Sequence, residues 1–194
     1  MAGGVEYPKK GRVNIDLPQV TKFESELGGT FEEFAKRGES YLSLLQREGD
    51  LVSVVLRGHL VIEELLYYVI QSHFPSPEHL DSARLRFPQL VALARSLEKI
   101  SVVPAQIWDS LLRLNSLRNS LAHNLEPSNL TKQISDFVLN CLNEECRRSL
   151  RSPPDTKDAV LMALSYLLGQ FQVIAAFSEA LEYLIRKQLS EGPK

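Results

Sequence analysis

Apolar residues recur every three or four positions along most of the chain, the period of an amphipathic helix. Strand-like alternation surfaces only weakly, around Val13–Leu17. The first 29 residues are rich in Gly, Pro and charge and read as a flexible or docking arm. Thr30, with Glu33 three residues on, forms a capping box for a helix to about Arg47, its apolar side made by Phe31, Phe34, Tyr41, Leu44 and Leu45. Gly49 and Asp50 break it, and Asp50 suits the N-cap of a second helix from Leu51 to about Phe74. Apolar residues cover most of that helix's circumference, which predicts a central place in a bundle. The run Phe74-Pro75-Ser76-Pro77 stops it. A helical turn near Glu78–Ala83 precedes a helix from Phe87 to about Ile100. Pro104, in the first turn of the next, opens a helix to about Glu126. After Pro127, Ser128 or Asn129 caps a helix to about Leu150, and Ser152–Asp155 separates the last, Thr156 to about Leu189. The fold expected is all-α, about six helices in a single domain over 30–190, with a four-helix up-and-down core.

Composition adjusts this picture in few places. Of the 194 residues, 44% are hydrophobic and 24% charged, ordinary values for a chain with a sizeable core. Net charge is −2 and the pI about 6.1, which excludes the broad basic surface of a general nucleic-acid binder. Such a balance still leaves room for a small site acting on one phosphodiester. Cys141 and Cys146, five apart on a predicted helix, are poorly placed to bridge each other, and no His/Cys pattern suggests zinc. Neither a metal nor a cofactor is expected. The N-terminus lacks the apolar region of a secretory signal, and no apolar run was expected to approach the ~18 residues of a membrane span. A soluble, cytoplasmic chain without a membrane partner follows as the expectation.

Candidate chemistry concentrates in Pro104–Glu126. Ile107, Leu111, Leu114, Leu121 and Leu125 form an apolar stripe, and the same register puts Arg118 in its middle. A guanidinium where the pattern asks for Leu needs a partner, a phosphate or an exposed seam. His123 follows, with Asn119 one turn before it on a shared face, and Asn115 and Asn124 close by. On the central helix, His59 and Glu63 form an i,i+4 pair beside Glu64. Of Tyr67 and Tyr68, which follow, one is expected in the core. Arg147, Arg148 and Arg151 end their helix as a small basic knot, suited to a helix C-terminus.

The group Arg118-Asn119-Ser120-Leu121-Ala122-His123 resembles the R-[polar]-xxx-H motif of the HEPN superfamily. That resemblance implies a helical bundle with the motif late on a long helix, and in many members a metal-independent ribonuclease acting in toxin–antitoxin or phage-defence systems. It also implies a homodimer that joins two Arg/His pairs in one site, an RNA substrate, and an antitoxin or regulatory protein as a further partner. Carried over residue by residue, Arg118, Asn119 and His123 are the candidate catalytic residues, with Glu63, His59 and Glu64 as contributors. The position two residues after His123 is Leu125. The toxin branch paired with nucleotidyltransferase antitoxins carries Tyr there, so this chain is expected outside that branch.

Two further accounts compete. The segment Leu56–Leu66 loosely resembles the first core helix of the mannitol-operon repressor group, which implies a non-catalytic dimeric module regulating a protein or nucleic acid. A purely structural role would have Arg118 bridge to Glu63 or Glu64 and His123 cap its helix.

Overall fold

The computed structural model describes residues 32, 35–74, 76–97, 103–123 and 129–191, with side-chain surroundings as far as Ala176. Eight helices are present and no strand among these residues. They are α1 (35–46), α2 (Leu51–Gln71), α3 (Glu78–Ala83), α4 (Phe87–Leu97), α5 (Ala105–His123), α6 (Leu130–Cys141), α7 (Glu144–Arg148) and α8 (Lys157–Glu191). The all-α bundle expected from the periodicity is thus observed. The arm over 1–29, the Thr30–Glu33 capping box, Asn124 and Leu125 lie outside the described residues.

Two additional elements raise the number of helices. The stretch expected as one helix to Leu150 is two. Leu142 turns extended, and Asn143 starts α7 by accepting a hydrogen bond from the Cys146 amide. A side chain able to cap competes with helix continuation wherever it stands. Arg147 and Arg148 of the basic knot therefore sit on their own short, solvent-facing helix, where Arg148 pairs with Glu144, and Arg151 follows beyond its end. Asp50 caps α2 as predicted, its carboxylate 2.8 Å from the Ser53 amide. Asn129 stands at the N-cap of α6 with φ +67° and makes no side-chain cap. Its role is the left-handed turn that asparagine tolerates better than most residues.

Helices α2, α5, α6 and α8 close a ring, each packed on the next, with α4 wedged against α2 and α5. The core they enclose includes Ile62, Leu66, Leu111, Leu114, Phe137, Leu164 and Phe171, all essentially inaccessible. Trp108 of α5 meets Phe171 of α8 edge to face, centroids 5.5 Å apart, an arrangement favoured by ring electrostatics. Gly58 lets α2 approach the Leu164 side chain, and further along Val69 packs on Ala175 and Ala176. The two helices therefore run in the same direction, while α1 runs back along α8 from Gly49, bonded to Lys157, to Gly38 at Gln172. Hydrophobic periodicity carries no such directional information.

The stretch Lys157–Ala176 of α8 is long and apolar enough to cross a membrane, mean hydropathy 1.7, which corrects the expectation that nothing in the chain approaches that length. Ser165, Gln170 and Gln172 interrupt the run without bringing its average down. Just over half of it, 56%, is buried inside the bundle, as the core helix of a helical bundle requires.

Candidate functional site

The site is built on α5, which buries Ile107, Trp108, Ser110, Leu111, Leu114 and Leu117. The core position after Leu114 is thus Leu117, 1% exposed, and Arg118 stands half-buried at the stripe's edge. This corrects the register that put Arg118 in mid-stripe. Three- and four-residue steps are both one turn, and the packing surface of α6 decides between them. Ser110 is fully buried and is held by Asn140 of α6, whose amide nitrogen also donates to the Gln106 carbonyl. These bonds fix the rotation of α5 about its axis.

Arg118 donates to Asn119 Oδ1 at 3.1 Å. It makes no ion pair with a carboxylate among the described residues, so the expected bridge to Glu63 or Glu64 is not formed. Glu63 instead lies 3.7 Å from His59 Nδ1. Glu64 lies beside the Tyr41 hydroxyl and, after burial, helps to raise its pKa. His123 is the last residue of α5 and exposed. No hydrogen bond joins it to Arg118 or Asn119, although Asn119 shares its face of the helix.

The second part of the site couples α2 to α5. His59, 5% exposed, places Nε2 3.2 Å from Asn115 Oδ1 and stacks on Phe87 of α4 at a centroid distance of 4.2 Å. Burial pushes the His59 pKa below the ordinary histidine value. The Asn115 bond and the Glu63 charge oppose that shift, and the Arg118 charge adds to it. Burial therefore disfavours the charged imidazole, whose Nε2 pairs with Asn115 while Nδ1 faces the Glu63 carboxylate. Asn115 in turn is one turn before Arg118 and Asn119. Of the six residues singled out in the sequence, His59 and Glu63 come together, Arg118 and Asn119 come together, and His123 and Glu64 stand apart from both pairs.

The roles of Asn115 and Phe87 were not legible in the sequence. Asn115 carried a weak signal, an amide one turn before the motif; Phe87 carried none. Tyr67 and Tyr68 are both half-buried, contrary to the expectation that one joins the core. Tyr67 donates to Asp81 and Tyr68 lies under the Arg37 guanidinium.

His73 lies 2.7 Å through Nδ1 from the Val69 carbonyl, a local contact at the end of α2. Both cysteines are free, Cys141 buried with its thiol donating to the Ala163 carbonyl, and burial pushes that thiol's pKa well up. It is therefore not a nucleophile at neutral pH. No group of His, Cys, Asp or Glu among the described residues is arranged to hold a metal. No family model, curated protein or solved structure matches the chain.

Proposed function

We propose that this chain is a metal-independent endoribonuclease that cleaves RNA through attack of the substrate's own 2′-OH, with Arg118, Asn119 and His123 as its reacting surface. One observation carries the reading. Arg118 is a half-buried guanidinium without a carboxylate partner among the described residues, and it donates to Asn119, which stands one helical turn before the exposed His123. Such a cation is suited to an anionic oxygen brought by a ligand.

In the reaction a base removes the 2′-OH proton, the 2′ oxygen attacks phosphorus, and a pentacovalent phosphorane forms. The P–O5′ bond then breaks, and an acid returns a proton to the 5′ oxygen. The products are a 2′,3′-cyclic phosphate and a 5′-OH. Arg118 neutralises the non-bridging oxygens as charge builds on them. His123 serves as base or acid. One imidazole does not easily serve both oxygens, which leave and attack on opposite sides of phosphorus, so a second copy of the chain that supplies the other proton carrier makes the reaction faster. Asn119 holds the guanidinium in place. His59, Asn115 and Glu63 stiffen the α2–α5 seam beneath it, as positioning residues. The substrate is single-stranded or looped RNA, in which the 2′-OH can swing in line with the leaving oxygen. A toxin or phage-defence setting would accommodate such an activity.

The test is RNA cleavage by the purified full chain in EDTA, with end-group analysis, beside Arg118→Ala and His123→Ala. The expected result is cyclic-phosphate ends from wild type and a loss of about 10²-fold or more in each variant. Both side chains lie outside the core, so circular dichroism and the thermal midpoint should stay near wild type. An intact fold with no cleavage of any RNA would reject the reading in favour of the regulatory module.

A further inference from the structure

A groove of about 630 Å³ lies where α1, α2, α3 and the start of α4 meet, within the usual range for small-molecule sites. Its apolar wall is Leu60, Leu85 and Leu90. Leu60 is 63% exposed on the central helix, where the other large aliphatic side chains are buried or half-buried. The polar lining has a distinct logic. Among the described residues that line it, three carboxylates, Glu63, Glu64 and Asp81, stand with Arg37 and Arg84, one negative charge in excess.

Two of the carboxylates have phenols beside them. Tyr67 donates to Asp81 at 2.6 Å, and the Tyr41 hydroxyl lies beside Glu64. Each carboxylate keeps lone pairs for a further donor. The Tyr67 pKa is pushed up to about 12, chiefly by the Asp81 bond, and that of Tyr41 to about 12, chiefly by burial. Both hydroxyls remain donors across the physiological range. The groove already holds one organic cation: the Arg37 guanidinium lies 4.2 Å from the Tyr68 ring centroid, within cation–π range. Arg84, at the rim, has left-handed backbone (φ +47°) and makes no ion pair among the described residues.

We propose that this groove is a binding site for a small alkyl guanidine or alkyl amine with an anionic end, the chemical class of a free basic amino acid. Its cationic head is received by Glu64 and the tyrosine wall, its stem lies on Leu60 and Leu90, and its carboxylate meets Arg84. The single excess negative charge of the described lining residues matches the single net positive charge of a free basic amino acid. Glu63 borders both the groove and His59, so occupancy is read at the α2–α5 seam. The proposal does not depend on the ribonuclease reading, because its test contains no RNA.

The experiment is isothermal titration calorimetry of the full chain with L-arginine, with agmatine, which lacks the carboxylate, and with L-norvaline, which lacks the guanidinium. Saturable binding of L-arginine is expected, with agmatine and norvaline each weaker by about tenfold or more, the size of a charge-assisted hydrogen bond. Arg84→Ala should bring L-arginine down to the agmatine level and leave agmatine unchanged. Glu64→Gln should weaken both. Gln keeps an acceptor for Tyr41, and the thermal midpoints of both variants report their fold. No saturable binding of L-arginine, equal affinity for agmatine, or binding indifferent to Glu64→Gln in a folded variant would overturn the proposal.

Discussion

At the scale of single residues, the chain separates two histidines that sequence alone treats alike. His123 is exposed at a helix end, while His59 is enclosed between Phe87 and Asn115. That difference has a thermodynamic sign. The folded-state pKa of His59 is lowered, by burial first, so as pH falls below about 6.5 the unfolded chain takes up the proton before the folded one. Folding stability contributed by this residue is therefore full above that value and declines on acidification towards the folded pKa. Urea midpoints at about pH 7.5 and pH 5.5 should show a larger drop for wild type than for His59→Gln, which can still bond Asn115 but does not titrate. An equal drop would mean that His59 is not the group responsible. His59→Ala is expected to cost about 1–3 kcal/mol at neutral pH, from the lost ring stacking and the orphaned Asn115 amide. The sequence marked His59 and Glu63 as a pair because i,i+4 spacing is visible in one helix. It gave Asn115 no role as partner because contacts between helices 56 residues apart leave no local trace.

At the scale of elements, close approach between helices rests on glycines whose roles periodicity cannot distinguish. A Cβ on Gly58 would run into the Leu164 side chain, whereas a Cβ on Gly169 of α8 would meet nothing within 4 Å. Gly58→Ala must push α2 and α8 apart or displace Leu164, at about 1–3 kcal/mol. Gly169→Ala should stabilise α8 by about 0.5–1 kcal/mol, because the backbone freedom that glycine loses in a helix is relieved without any contact being disturbed. Thermal unfolding of the two variants should thus shift in opposite directions, by about 2–4 °C per kcal/mol for a chain of this size. Movement in the same direction would show that the α2–α8 spacing is not what the packing implies. The helices themselves were legible from strong periodicity and from stops such as Pro75 and Pro77. Register was less so: on α5, Leu117 and Arg118 are both one turn beyond Leu114, and only the bonds from Asn140 to Ser110 and Gln106 settle which one faces inward. The division between α6 and α7 escaped because the apolar period runs on across Asn143, whose preference for a helix start is a weaker signal than the period.

At the scale of the whole molecule, the proposed reaction asks for more than one chain supplies. Each copy brings one Arg118 and one His123, and transesterification needs a proton removed from one oxygen and another delivered to a second. If two copies share the work, Arg118→Ala and His123→Ala chains should complement each other. Each is expected to be inactive alone, one lacking the phosphate-binding cation and the other the imidazole. Mixed after brief dissociation, they form heterodimers in which a composite site again holds one guanidinium and one imidazole. RNA cleavage in the mixture should rise by about tenfold or more over either variant alone, since a single general catalyst contributes about 10²–10⁴. It should stay below wild type, because the second imidazole is still missing. Differently tagged chains captured in tandem would report that heterodimers had formed. Heterodimers without recovered cleavage, from a wild type that does cleave, would confine the reaction to one chain and require another of its own groups as the second proton carrier. His59 could not be that group without leaving its place between Phe87 and Asn115, so the search would turn to the face of α5 beside His123.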